Sequence, residues 1–385
     1  MPLIRDTPMR LPLDWYRQMR QNQPIYLDPR MRSWMVFRYS DALQVLLDHT
    51  TFSSDLHRVS AQLPNMPGIL SLDEPKHQKL RSIVQKAFTP RIVEQLAPRI
   101  TEITTELLDV AQAKGEMESI AEFAYPLPLT VIAELLGVPL QDRAQFRTWS
   151  QALATGHQFT GVPSPTQERL SSTHQLRAYF ARQLEERRKV DKNDLMSLLL
   201  AAEVDGERLS EEELLDFCQL LLIAGHETTA NLLGNALYCF DAYPEVAEEL
   251  RRDPTLMPGA IEEILRCFPS VTGDLRITTS ETEMSGQMIG KHQLVIVVAA
   301  SANYDEEQFS EPEIFDIRRH PNRHITFGHG IHFCLGAPLA RLEAKIALSL
   351  LLERFTSIKH VPKQLIEPIE SPFLLGMKRF DVSLT

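Results

Sequence analysis

The sequence predicts a mainly α fold, a helical bundle with a small β-rich region, as one domain over residues 1–385. Long stretches show helical periodicity, strand signals cluster in two short regions, and nothing alternates strand with helix as a doubly wound sheet would. Hydrophobic residues make up 43% and charged residues 24%, an ordinary globular balance that excludes collagen, disorder and low complexity.

The elements follow in chain order. Residues 1–16 are broken by Pro2, Pro8 and Pro12 and carry Arg5, Asp6 and Arg10, so neither a signal peptide nor a membrane anchor is expected. Ser33 to Tyr39 reads as a strand, and Leu43, Val45, Leu46 and Leu47 follow Asp41 as a short helix. Pro75 suits the first turn of a helix reaching about Phe88. From Pro98 to Lys114, Ile100, Ile103, Leu107 and Leu108 recur at helical spacing, and Gly115 stops the run. Pro128 to Leu136 is a helix closed by Gly137, and Arg177 to Lys189 reads as a charged, exposed helix. Ser210-Glu211-Glu212-Glu213 is a capping box. It opens a proline-free run to Ala242, about 32 residues or roughly 48 Å. Leu220 to Ala224 at its centre are apolar on every side, so this helix passes through the interior. Arg276 to Ala300 is the second strand region, punctuated by Gly286 and Gly290, and Pro338 to Phe355 is the final helix.

Lys plus Arg number 40 against 51 Asp plus Glu, a net charge of −11, which gives no electrostatic reason to expect nucleic-acid binding. The four cysteines, Cys218, Cys239, Cys267 and Cys334, form no C-x-x-C pair. That argues against a disulfide scaffold or zinc ribbon and for a reducing, cytoplasmic location without membrane attachment.

Chemistry concentrates at residues 327–336, Phe-Gly-His-Gly-Ile-His-Phe-Cys-Leu-Gly. Three glycines in ten residues indicate a tight loop with special dihedrals or one lying against something flat. A helix begins just afterwards, so Cys334 sits where helix amides favour a thiolate, a good soft ligand for iron. A lone buried cysteine in a glycine loop is the plainer reading of Cys334 alone. The full pattern, Phe-Gly-x-Gly-x-His-x-Cys-Leu-Gly, resembles the haem-binding loop of the cytochrome P450 family, with every fixed position present. The resemblance implies the cytochrome P450 fold around haem b. Cys334 would be the proximal thiolate, Phe327 would pack beside the sulfur, Gly336 would let the backbone approach it, and His332 would contact a propionate. The other three cysteines read as core residues.

Three further constellations extend it. Ala224-Gly225-His226-Glu227-Thr228-Thr229 resembles the family's oxygen-activation motif. Ala224 and Gly225 would leave a groove beside the iron, and Glu227 and Thr228 would relay protons. Polar residues there interrupt an apolar helix, where each unpaired group costs roughly 1–3 kcal/mol. His226 is assigned no catalytic role. Glu263 and Arg266 share a helix face at i, i+3 and match the family's structural ion pair, with Arg319 as expected third member. His77 and Arg81, on one face at i, i+4, would bind a propionate, as would Arg276. His324 reads as structural.

What the resemblance implies is a monooxygenase that activates molecular oxygen to hydroxylate or epoxidise a lipophilic small molecule. It would be a monomer taking electrons from a separate ferredoxin or flavodoxin and its reductase, since 385 residues leave no room for a fused one. Lys76, Lys79, Arg323, Arg341 and Lys345 would form a basic patch steering that acidic partner. The substrate pocket would be lined by residues 63–70 and 148–162, with Met66, Ile69, Leu70, Leu220, Val271, Thr272 and Phe373 as candidates, and residues 66–68 as a mobile lid. A peroxide-dependent peroxygenase is the alternative on the same fold, but it usually lacks the acid–alcohol pair. A haem-based gas sensor is the alternative from another class.

Overall fold

The computed structural model describes residue 9 and residues 11–58, 68–154, 167–362 and 364–385. Its helices include α1 (Leu13–Asn22), α2 (Tyr39–Leu47), α3 (Lys76–Ala87), α4 (Ala97–Lys114), α5 (Pro126–Leu135), α6 (Arg143–Ala154), α7 (Gln167–Lys189), α8 (Glu211–Ala242), α9 (Met257–Cys267) and α10 (Ala337–Arg354). The expected long helix is α8. The Ser210 hydroxyl accepts from the Glu213 amide at 3.3 Å, and the Glu213 carboxylate accepts from the Ser210 amide at 2.8 Å. Both halves of the capping box therefore satisfy amides that the first turn leaves without partners. Almost every residue from Thr229 to Phe240 is buried, with α5, α7 and α10 packed round the helix.

One mixed sheet lies beside the bundle, in the order β1 (Ile25–Asp28), β2 (Ser33–Val36), β5 (Leu294–Val297), β4 (Asp274–Thr278), β3 (Phe52–Ser53). Only the β2–β5 pairing is parallel, with Val295 opposite Trp34. Arg276 on β4 pairs with Val295, so the sheet carries it to the site.

Several expectations need correction. The first strand ends at Val36 because Tyr39 already opens α2. Helix α5 starts at Pro126, and the second strand region contains a separate hairpin, Thr282–Met284 with Gln287–Ile289. Helix α7 is longer than the expected Arg177–Lys189 segment and is not an exposed helix. Leu176, Phe180 and Leu184 recur at i, i+4 and are fully buried, so its charges occupy only the outer face. Arg187 is buried as well, paired with Asp194 at 2.5 Å. Cys218, Cys239 and Cys267 are all buried. No described helix is long and apolar enough to cross a membrane.

Candidate functional site at the Cys334 loop

The loop is fixed by its glycines. Gly328 and Gly330 have φ of +70° and +71°, the left-handed region that side chains resist. A Cβ on Gly330 would sit 2.6 Å from the Leu46 carbonyl, so the loop lies directly against α2. The Cys334 amide donates to the Phe327 carbonyl at 2.9 Å, closing the loop over Phe327. The sulfur sits just ahead of α10. Burial raises its thiol above the ordinary value, against the Gly336 amide, Arg81, the Ala337 amide and Arg341, which all pull it down. The helix amides thus act in the expected direction, but burial outweighs them. A thiolate at this position calls for a cation upon it.

Beside the loop is a cluster of donors without acceptors. His77 and His332 stand with ring centroids 4.2 Å apart. Among the described residues, both ring nitrogens of His77, Nε2 of His332 and Nη2 of Arg276 are buried with no hydrogen-bond partner. Glu74 lies 3.7 Å from Nδ1 of His77. Burial first, then Arg276 and His77, press His332 down to about 3. Burial and Arg81 lower His77 too, against Glu74. Buried polar groups are nearly always satisfied, so these four orphaned nitrogens mark where an anionic group belongs. Arg276 also donates to Asp274 at 2.7 Å. Arg81 donates to the Phe333 carbonyl at 2.6 Å, which ties α3 to the cysteine loop.

In α8, the Thr228 hydroxyl donates to the Ala224 carbonyl at 2.8 Å. Burial raises the Glu227 carboxyl to about 7, and among the described residues it has no ion-pair or hydrogen-bond partner. That carboxyl is therefore about half protonated near neutrality. Ala224 is exposed although it sits mid-helix. At Gly225 a Cβ would lie 2.9 Å from Cδ1 of Ile132, so the helix packs closely against α5 at this point.

The ion pair on α9 is fully buried. Glu263 accepts from Arg266 twice at 2.8 Å, from Arg319 at 3.2 Å, from Asn322 at 3.0 Å and from the Asp316 amide at 2.9 Å. Arg266 also donates to the carbonyls of Asn303, Pro312 and Ile314. Next to it, Glu262 accepts from Arg341 at 2.7 and 2.8 Å and meets Nε2 of His324 at 3.1 Å. Burial alone would push Glu262 up, but these bonds hold it at about 2. The Arg341 guanidinium also lies over the Phe327 ring, 4.5 Å from its centroid. Sequence reasoning named Arg341 only as a surface charge and missed Glu262. The basic patch is correspondingly smaller than expected, because Arg341 pairs with Glu262 and Lys79 with Glu207.

Among the expected pocket residues, a bridge joins Val271 to Leu374, and the Thr272 amide donates to the Phe373 carbonyl at 2.9 Å. The Thr272 hydroxyl is already used on the Pro372 carbonyl at 3.0 Å. Ile69, Leu70 and Leu220 belong to the main core, whereas Phe373 packs with Tyr16 and Phe37 in another cluster. Met66 and residues 155–162 lie outside the described residues.

Fold and site present a single cysteine on a glycine loop, a long helix with an acid–hydroxyl turn, and a set of buried polar nitrogens without partners. The chain belongs to the cytochrome P450 family, whose model matches residues 14–384. It is 45% identical over 376 residues to the putative cytochrome P450 YjiB of Bacillus subtilis, covering 97% of this chain and 94% of that one. It is 40% identical over 354 residues to the cyclomarin C epoxidase CymV of Salinispora arenicola, covering 90% and 89%. The crystal structure of CYP109E1 from Bacillus megaterium in complex with testosterone superposes with a TM-score of 0.89 at 38% identity, covering 97% and 99%. The protein is thus a cytochrome P450 monooxygenase binding haem and iron. The orphaned nitrogens of His77, His332 and Arg276 fit a group with two carboxylate arms, and Cys334 fits its iron.

Proposed function

We propose that the chain is a single haem domain over residues 1–385 that holds haem b and inserts one atom of molecular oxygen into an unactivated C–H bond or an alkene of a lipophilic small molecule. The observation that carries this reading is the set of buried donors at His77, His332 and Arg276, unsatisfied beside the loop that presents Cys334. When bound, the haem supplies the oxygen chemistry, and a thiolate ligand favours O–O cleavage. The chain's own residues do the rest. Cys334 holds the iron while the Gly336 and Ala337 amides temper its sulfur. His77, Arg276 and His332 anchor the carboxylate arms, and Arg81 fixes the loop from α3. Glu227 holds a proton near neutral pH, and Glu227 and Thr228 relay protons to the site. Glu263, Arg266 and Arg319 fasten α9 to the segment before the loop.

The apolar character of Ile69, Leu70, Leu220, Val271 and Phe373 supports a lipophilic substrate. The named relatives extend to an epoxidase and to a protein holding a steroid. Electrons come from a separate ferredoxin or flavodoxin with its reductase in the cytoplasm. Among the described residues, Lys76, Arg323 and Lys345 are the cations of the expected patch without an ion pair that are left to meet an acidic partner.

The test is a carbon monoxide difference spectrum of the reduced protein, where a spectrum without the thiolate-type Soret band would refute the assignment. For the proton role, Thr228→Ala is expected to raise peroxide released per electron consumed. Unchanged coupling removes Thr228 from that role.

A further inference from the structure

His226 lies one residue before Glu227, and the family resemblance gives it no task. It is nonetheless one of the most firmly held side chains in α8. It is 1% exposed, its Nδ1 lies 2.5 Å from the Leu222 carbonyl, and its Nε2 lies 2.7 Å from the Ser150 hydroxyl of α6. The Tyr125 hydroxyl, just before α5, lies 3.2 Å from the same Ser150 oxygen, and its ring meets His226 edge-on at 5.1 Å.

The chemistry sets the direction of this chain. A carbonyl only accepts, so Nδ1 carries the hydrogen. In the neutral ring Nε2 is then the acceptor, Ser150 donates to it, and Tyr125 donates to Ser150. Leu222 is also the carbonyl that takes the His226 amide in the helix ladder. The Thr228 and Thr229 hydroxyls add second donors to the carbonyls of Ala224 and Gly225 in the same way. Three carbonyls within four residues thus carry a side-chain donor as well as the ladder. Such back-bonding weakens and bends helices. The turn that bears Glu227 and Thr228 therefore takes part of its definition from outside α8, and His226 to Ser150 is a direct polar link that supplies it.

We propose that His226 is a positioning residue for the acid–hydroxyl pair. Its bond to Ser150 sets the Ala224–Thr228 turn against α6, so that α6 controls the aim of Glu227 and Thr228. The inference rests on the reading of those two residues as the proton-delivering pair.

Amide hydrogen exchange on the haem-loaded ferric protein tests the link, followed in peptides covering residues 143–154 and 222–230. Ser150→Ala removes one hydrogen bond and is expected to speed exchange about threefold or more in both peptides. His226→Phe fills the same space without ring nitrogens and is expected to do likewise. With a surrogate ferredoxin and reductase, Ser150→Ala is also expected to at least double the share of electrons released as peroxide, with the thiolate-type carbon monoxide spectrum unchanged. Faster exchange confined to residues 143–154, or an unchanged peroxide share, overturns the proposal. Thr228→Ala, run alongside, separates the two readings. Unchanged peroxide in that variant removes the proton-delivery pair, while exchange in residues 222–230 still reports on the tie between His226 and Ser150.

Discussion

Replacing Glu263 with alanine tests whether the buried charge cluster on α9 holds the structure together. Glu263 and Arg266 are both at 0% exposure and Arg319 is at 11%. The wild-type carboxylate neutralises one guanidinium bidentately and touches a second, while also taking the Asn322 amide and the Asp316 N–H. Its removal leaves Arg266 charged in the core without its carboxylate, facing three carbonyls, the Cys267 sulfur and the rings of Tyr304 and Phe309. Stranding one member of a buried pair costs about 3–5 kcal/mol. Each neutral donor left without an acceptor adds about 1–3 kcal/mol, not additively. A net loss of at least about 4 kcal/mol is expected, against a total of about 5–15 kcal/mol for a folded protein. Urea unfolding of the haem-loaded protein followed by far-UV circular dichroism measures this. Glu263→Gln keeps an acceptor oxygen without the charge and should fall between wild type and Glu263→Ala. An alanine variant within about 1 kcal/mol of wild type would show that the cluster is dispensable and refute the reasoning.

Three further outcomes follow from the site. Burial raises the Glu227 carboxyl to about 7, so under the proposed proton-donor role productive turnover should fall as pH rises through 7 and the carboxylate forms. Glu227→Gln should flatten that inflection in a pH–rate profile measured with peroxide release, and an inflection that persists assigns it to another group. Cys334→Ser should abolish the thiolate-type band in the carbon monoxide difference spectrum, whereas Cys218→Ser, buried among apolar side chains, should keep it. Arg276→Ala removes a charged donor worth about 1.5–3 kcal/mol to a carboxylate, so transfer of haem to apomyoglobin should speed about tenfold or more. Equal rates would mean that Arg276 holds no propionate.

What was legible in the sequence was what is local. The capping box at Ser210, the glycines round Cys334 and the Glu263–Arg266 spacing each state their geometry within a few residues, and each appears as read. Arg319 is 53 residues beyond Arg266, and only the family resemblance brought it to Glu263. Charge was the least legible feature, because a charged side chain looks alike on a surface and in a core. Arg187 on α7 read as solvated and is buried against Asp194, and Arg341 read as a docking charge but is clamped to Glu262 over Phe327. The packing at Gly225 was illegible for a related reason. Its smallness is a fact of sequence, but its close neighbour Ile132 lies on another helix. The tie from His226 to Ser150 crosses 76 residues and leaves no periodic signal at all.

The two buried polar clusters also differ in a way that bears on function independently of any motif. Round Glu263 the carboxylate pairs with both Arg266 and Arg319, and backbone carbonyls take the remaining guanidinium donors. Round His77, His332 and Arg276 the polar nitrogens face one another, and the two histidines are driven toward their neutral forms by burial first, then by Arg81 at His77 and by Arg276 and His77 at His332. A core tolerates the first arrangement as structure. The second leaves several desolvated polar nitrogens unmatched within the chain, a cost that an external acceptor would relieve. Two carboxylates on a rigid, flat, otherwise apolar body meet that need and fit a loop held flat against α2 by Gly330. The imbalance of donors and acceptors thus points to an anionic prosthetic group, while the glycines and Cys334 say how its apolar face and its metal are met.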